Sequence, residues 1–75
     1  MAIEKIVIEN RIRRLRFECG EMTQQALADM VGVSRQTVNA VEGGKYTPSL
    51  EVAFRMARAL KRPVEDVFVC VAAPA

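Results

Sequence analysis

The strongest constraint in this chain is the stretch Gln24 to Gly43, which reads Q-Q-A-L-A-D-M-V-G-V-S-R-Q-T-V-N-A-V-E-G. Two helices can cross steeply over a turn of three or four residues only if their contact is small and the turn can take an unusual backbone conformation. Ala28 supplies the small contact, Gly32 the turn, and Ser34 an N-cap for the second helix. Val33 can plug into the core after the turn, while Leu27, Val38 and Val41 recur at helical spacing and anchor both helices to a bundle. The opposite side of the second helix is left polar: Arg35, Gln36, Thr37 and Asn39 have no core duty. Arg and Gln carry the paired donors and acceptors that match guanine and adenine edges in a DNA major groove. By composition alone these residues are equally a solvated helix face. Small residue, glycine turn, N-cap, spaced valines and polar front together, at the required intervals, favour the nucleic-acid reading.

The flanking sequence supplies the rest of a small helical domain. Thr23 caps the first motif helix, whose apolar face is read from Leu27, Ala28, Met30 and Val31. The second should end at Gly43-Gly44, since glycines are poor helix formers and good left-handed C-caps. Upstream, Ile3 to Ile8 is short and β-branched, as a strand is. From Asn10, taken as an N-cap, the spacing of Ile12, Leu15 and Cys19 predicts an amphipathic helix ending at Gly20. Downstream of Pro48, Ser49 and Glu51 open a fourth helix, with its buried side read from Leu50, Phe54, Ala57 and Leu60. Pro63 suits the first position of a short fifth helix, Val64 to Phe68, before strand-like Val69 to Val71.

Size and composition narrow the function classes. A chain of 75 residues is expected to form one domain, residues 1–75, with no room for a sensor domain or a ligand pocket. Cys19 and Cys70 follow no metal or redox spacing and the chain has no histidine, so no metal or cofactor is expected and both thiols should be free in a reducing compartment. Hydrolytic chemistry lacks a nucleophile with a base and an orienting partner, which argues against an enzyme. The run Ile6 to Ile8 is far shorter than a signal-peptide core, and no stretch approaches the roughly 20 residues of a membrane helix, so the expected location is cytoplasmic. The net charge of +2 is a mild signal. Its distribution is more telling, with one basic cluster at Arg11, Arg13, Arg14 and Arg16 and another at Arg55, Arg58, Lys61 and Arg62, although such clusters are usually solvated faces. In so small a domain every charge should lie near the surface.

The stretches T-Q-Q-A-L-A at Thr23 to Ala28, V-S-R-Q-T-V at Val33 to Val38 and E-G-G-K-Y-T-P-S-L at Glu42 to Leu50 resemble the Cro/cI-type helix-turn-helix regulators, the XRE family. The likeness runs from about Ile8 to Phe68 and is greatest to short forms with a terminal two-stranded sheet. It implies a mainly α fold: a five-helix, lambda-repressor-like bundle with a small antiparallel sheet from the N- and C-terminal segments. It further implies that Arg35, Gln36 and Thr37 read bases with Asn39 and Ala40 at the margin. Gln24 would hold a phosphate and brace the reading helix, Ser34 would add a phosphate bond, and Lys45 and Tyr46 would clasp the backbone. Arg16 would pair with Glu42, partly buried, tying the first helix to the end of the third. The chain departs from the pattern at Glu21 and Met22, which lengthen the loop before Thr23 by one residue, and Arg11, Arg13 and Arg14 find no base-contact counterpart.

One such motif reads few base pairs, so useful affinity normally takes two copies on half-sites about one helical turn apart. A homodimer on a roughly palindromic operator is therefore expected. Its interface is placed at Val67, Phe68, Val69 and Val71; the terminal strands could instead pair and bury these residues within one chain, and both are expected together, because a two-stranded ribbon has a face that must be covered. The alternative function is a protein-interaction module of the same fold, adaptor or antitoxin-like, which should show a reading face poor in Arg, Gln and Asn.

Overall fold

The computed structural model describes residues 6–72. In chain order the elements are β1 (Ile6–Asn10), α1 (Ile12–Glu18), α2 (Gln24–Val31), α3 (Arg35–Glu42), α4 (Leu50–Leu60), α5 (Val64–Val67) and β2 (Phe68–Ala72). The fold is mainly helical, with β1 and β2 paired as an antiparallel ribbon. Ile3 to Lys5, the start of the expected first strand, lie outside the described residues.

Local chemistry sets the motif helices. The Thr23 hydroxyl accepts from the Ala26 N–H at 3.0 Å, and the Ser34 hydroxyl from the Thr37 N–H at 3.1 Å, so α2 and α3 each begin on a side-chain cap. Between them Gly32 sits at φ +86°, and the N–H groups of Gly32 and Val33 both reach the Ala28 carbonyl, at 2.8 and 3.1 Å. A Cβ at Gly32 would meet Arg55 Nη1 at 3.7 Å, an ordinary contact, so an alanine there suffers from the left-handed backbone and not from crowding. Gly32→Ala is expected to destabilise the domain by about 1–2 kcal/mol in thermal melts. An unchanged midpoint would mean that the turn does not need glycine.

The core is one cluster. Ile12 and Leu15 of α1, Leu27, Ala28 and Val31 of α2, Val38 and Val41 of α3, Met56, Ala57 and Leu60 of α4 and Val67 of α5 meet in it, with Val33 packed against its edge. Three expectations of burial are corrected here. Leu50 is 73% exposed and Phe54 49%, and the buried side of α4 is Ala53, Met56, Ala57 and Leu60. The helix is apolar on two adjoining stripes, and the one bearing the small alanines faces the bundle because it lets α4 approach α2 closely. Met30, expected on the inner face of α2, is exposed. Arg16 is buried, against the general expectation that every charge lies near the surface; the partly buried pair expected of it with Glu42 is described below.

Element ends also differ in detail. Gly43 caps α3 in a right-handed conformation, and the left-handed residue is Gly44 at φ +73°. Pro63 is the N-cap of α5, outside the helix, and Phe68 already belongs to β2. Asn10 is the last residue of β1, with Arg11 at the N-cap position, yet its carboxamide still caps: Oδ1 accepts from the Ile12 N–H at 3.2 Å. Its Nδ2 donates to the carbonyls of Val41 and Glu42 at 2.9 and 3.3 Å, which fastens the base of the ribbon to the end of α3. The loop before α2 turns at Glu21, φ +58°, with the Glu21 N–H on the Phe17 carbonyl and the Met22 N–H on that of Arg16.

The ribbon register pairs Ile8 with Cys70 and Asn10 with Phe68, so Ile6, Ile8, Phe68 and Cys70 share one face and Val7, Val69 and Val71 the other. Phe68 leans on the core, whereas Ile6, Val7 and Ile8 stay exposed. Val67 is fully buried in the core, so it is removed from the expected dimer surface.

Candidate nucleic-acid interface

The front of α3 is shaped by what its rear must do. Val38 and Val41 turn inward, which leaves Arg35, Gln36 and Asn39 exposed, with Thr37 and Ala40 half-buried at the flank. The Thr37 hydroxyl lies 3.0 Å from that of Ser34, so these two groups are engaged with each other at the helix entrance. Gln24, at the first position of α2, donates through Nε2 to Asn39 Oδ1 at 3.2 Å. That bond links the start of one motif helix to the middle of the other and holds the Asn39 carboxamide in place.

Behind this face lies the one charged pair in the interior among the described residues. Arg16 Nε donates to Glu42 Oε2 at 2.7 Å and Nη2 to Oε1 at 3.0 Å, while Nη1 reaches the Met22 carbonyl at 2.7 Å. The guanidinium also lies 5.9 Å from the centre of the Phe17 ring. Side-chain exposures of 10% and 9% make this a desolvated, bidentate pair. It joins α1, the loop before α2 and the last residue of α3, and so fixes the pitch of α3 against the bundle.

Beyond α3 the chain turns back through the Lys45 N–H on the Ala40 carbonyl at 2.9 Å, and the side chains of Lys45 and Tyr46 are exposed. An open concavity of about 530 Å³ brings together Gln24, Asn39 and Lys45 with Arg13, Arg16, Phe17 and Glu42. Arg35, Gln36, Ser34 and Tyr46 lie outside it. From sequence Arg13 reads as a solvated charge with a long-range attraction for DNA and no contact of its own. The available signal was its spacing, three residues before Arg16 and four before Phe17, which puts it on their side of the helix.

A helix-turn-helix family model matches residues 20–67. The chain belongs to this family. It is 54% identical over 59 residues to a helix-turn-helix-type transcriptional regulator of Methanothermobacter thermautotrophicus, covering 77% of this chain and 84% of that one. It is 43% identical over 61 residues to the regulator YgzD of Bacillus subtilis, covering 81% and 91%. Among solved structures, the restriction-modification controller protein C.AhdI from Aeromonas hydrophila superposes with a TM-score of 0.68 at 33% identity, covering 73% of this chain and 82% of that one. These relatives are of XRE type, a family of DNA-binding transcription regulators.

A minority of the other charges of this helix-turn-helix protein are paired on the surface. Arg14 and Arg62 both meet Glu18, at 3.1 and 3.2 Å, and Arg55 meets Glu51 at 2.6 Å. Exposed pairs of this kind contribute little to stability. Cys19 is half-buried with its thiol 3.4 Å from the Leu60 carbonyl, and Cys70 is exposed. Among the described residues no group of His, Cys, Asp or Glu is placed to hold a metal ion, and no helix is long and apolar enough to cross a membrane.

Proposed function

We propose that this helix-turn-helix protein is a single-domain, sequence-specific regulator that binds double-stranded DNA, a dimeric repressor reading the major groove with α3. The observation that carries the reading is the pairing of exposed Arg35 and Gln36 at the front of α3 with a helix fixed by its Ser34 cap, the Gln24–Asn39 bond at its flank and the buried Arg16–Glu42 pair behind it. Base readout needs donors held at fixed positions, and here only the tips of the reading side chains remain free to adjust. Thr37, Asn39 and Ala40 flank the contact. Gln24, Ser34, Lys45 and Tyr46 hold phosphates and set the register. The protein acts in the cytoplasm, associated with the nucleoid, and its reading requires no cofactor, small-molecule ligand or catalytic step.

The test is chemical protection on duplexes recovered from a random pool. Bound protein should shield guanine N7, in the major groove, at the positions that define the recovered sequence. Protection confined to the minor groove would refute the placement of α3.

Dimerisation belongs to the same proposal. Phe68 on one face of the ribbon and Val69 and Val71 on the other remain as its C-terminal surface, and exposed Leu50 extends the Phe68 side, since Leu50 and Phe68 line one apolar groove of about 320 Å³ with Ile8 and Pro48. Sedimentation at micromolar concentration should give a dimer, and Leu50→Lys should give a folded monomer with weaker operator binding. A strictly monomeric parent protein would remove this part of the proposal.

A further inference from the structure

We infer that Arg13 is a DNA-phosphate contact, acting with Lys45 and Gln24 on one backbone segment beside the reading helix; the inference rests on the DNA-binding reading above. The concavity these residues share is lined by three cations, Arg13, Arg16 and Lys45, and one carboxylate, Glu42. Both oxygens of Glu42 are taken by Arg16, whose remaining terminal nitrogen is occupied by the Met22 carbonyl. The floor of the concavity is therefore electrically spent. What is left is the charge of Arg13 and Lys45, neither of which has an ion-pair partner among the described residues.

The two cations come from separate elements, α1 and the loop after α3, with the Gln24 amide lining the same hollow. One amide hydrogen of Gln24 is engaged by Asn39, and the amide carries a second. Two positive side chains and an amide donor around an open, carboxylate-neutralised hollow match a phosphodiester, which offers diffuse negative charge and several acceptor oxygens. A second hollow along α1, lined by Asn10, Arg11, Arg13, Arg14 and Phe17 with Glu42 at the end of α3, adjoins the first; Glu42 is neutralised by Arg16 and Arg14 is paired with Glu18, which leaves Arg11 and Arg13 as its unpaired cations among the described residues. Its arginines would follow the same strand without touching base edges, so Arg13 adds affinity and no sequence preference.

The experiment measures binding of the parent protein, Arg13→Ala, Arg13→Lys and Arg58→Ala to the selected operator and to a random duplex, between about 50 and 200 mM salt. Arg58 is an exposed cation on α4, outside this hollow, so its variant controls for net charge alone. Arg13→Ala is expected to weaken binding roughly tenfold on both duplexes. It should also flatten the dependence of log affinity on log salt by about 0.9 per protomer. Arg13→Lys should keep the slope, and Arg58→Ala should match the parent. If Arg13→Ala behaves like Arg58→Ala while the parent still prefers its operator, the phosphate contact is wrong and the DNA-binding reading stands. If the parent shows no preference between the duplexes, sequence-specific regulation fails, and the slopes on random duplex still decide the role of Arg13.

Discussion

Glu42→Ala should lower the thermal midpoint more than any substitution of an exposed residue in this chain. Both members of the Arg16–Glu42 pair are about nine-tenths shielded, and removing the carboxylate leaves a buried guanidinium with only the Met22 carbonyl and the Phe17 ring beside it. An uncompensated buried charge costs about 3–5 kcal/mol. For a domain of this size that is a midpoint fall of roughly 12 °C or more. Glu42→Gln keeps one acceptor and should fall in between. Replacing both residues, Arg16→Met with Glu42→Leu, should recover much of the loss, because the desolvation cost leaves with the charges. The recovery stays incomplete because the Met22 carbonyl loses its donor. If Glu42→Ala melts with the parent protein, the ion pair does not hold α3, and its valines and the Asn10 and Gln24 bonds suffice.

Arg35→Ala and Gln36→Ala should do the opposite, leaving the melting curve in place and damaging recognition. Both side chains are exposed and make no hydrogen bond to another described residue. A well-aligned base contact carries about 1–3 kcal/mol of discrimination, so each variant should bind its operator about five- to 150-fold more weakly. The loss should be confined to the selected sequence, with affinity for random duplex falling far less. Titrations against the operator and its single-base variants would locate the base pair at which each substitution relaxes preference. Equal losses on every duplex would make these residues phosphate contacts and would move the reading surface elsewhere.

How much of this was legible beforehand follows the range of the interactions. The motif could be read because its signals are local: Thr23 and Ser34 reach only three residues along the chain, and Gly32 answers to its own φ. The ion pair between residues 16 and 42 could be anticipated only through family resemblance, since nothing in the spacing brings them together. The inner face of α4 was misread because Leu50 and Phe54 satisfy helical periodicity as well as Ala53 and Met56 do. Choosing between the stripes depends on how closely α2 packs, which is a tertiary property. Val67 looked like one residue of an apolar tail until the strand boundary at Phe68 placed it at the end of α5, in the core. Arg13 carried no motif of its own. Its partners, Gln24 and Lys45, lie on other elements, and only the fold puts them around one hollow.

Two copies of α3 are proposed to read a defined duplex sequence. Selection from a random duplex pool with the purified protein, at about 150 mM salt so that bare phosphate attraction is weakened, tests it most directly. The expected product is a roughly palindromic sequence with half-sites about one helical turn apart. A pool that remains random after repeated rounds would contradict the claim and leave a protein-interaction module of the same fold as the reading to pursue.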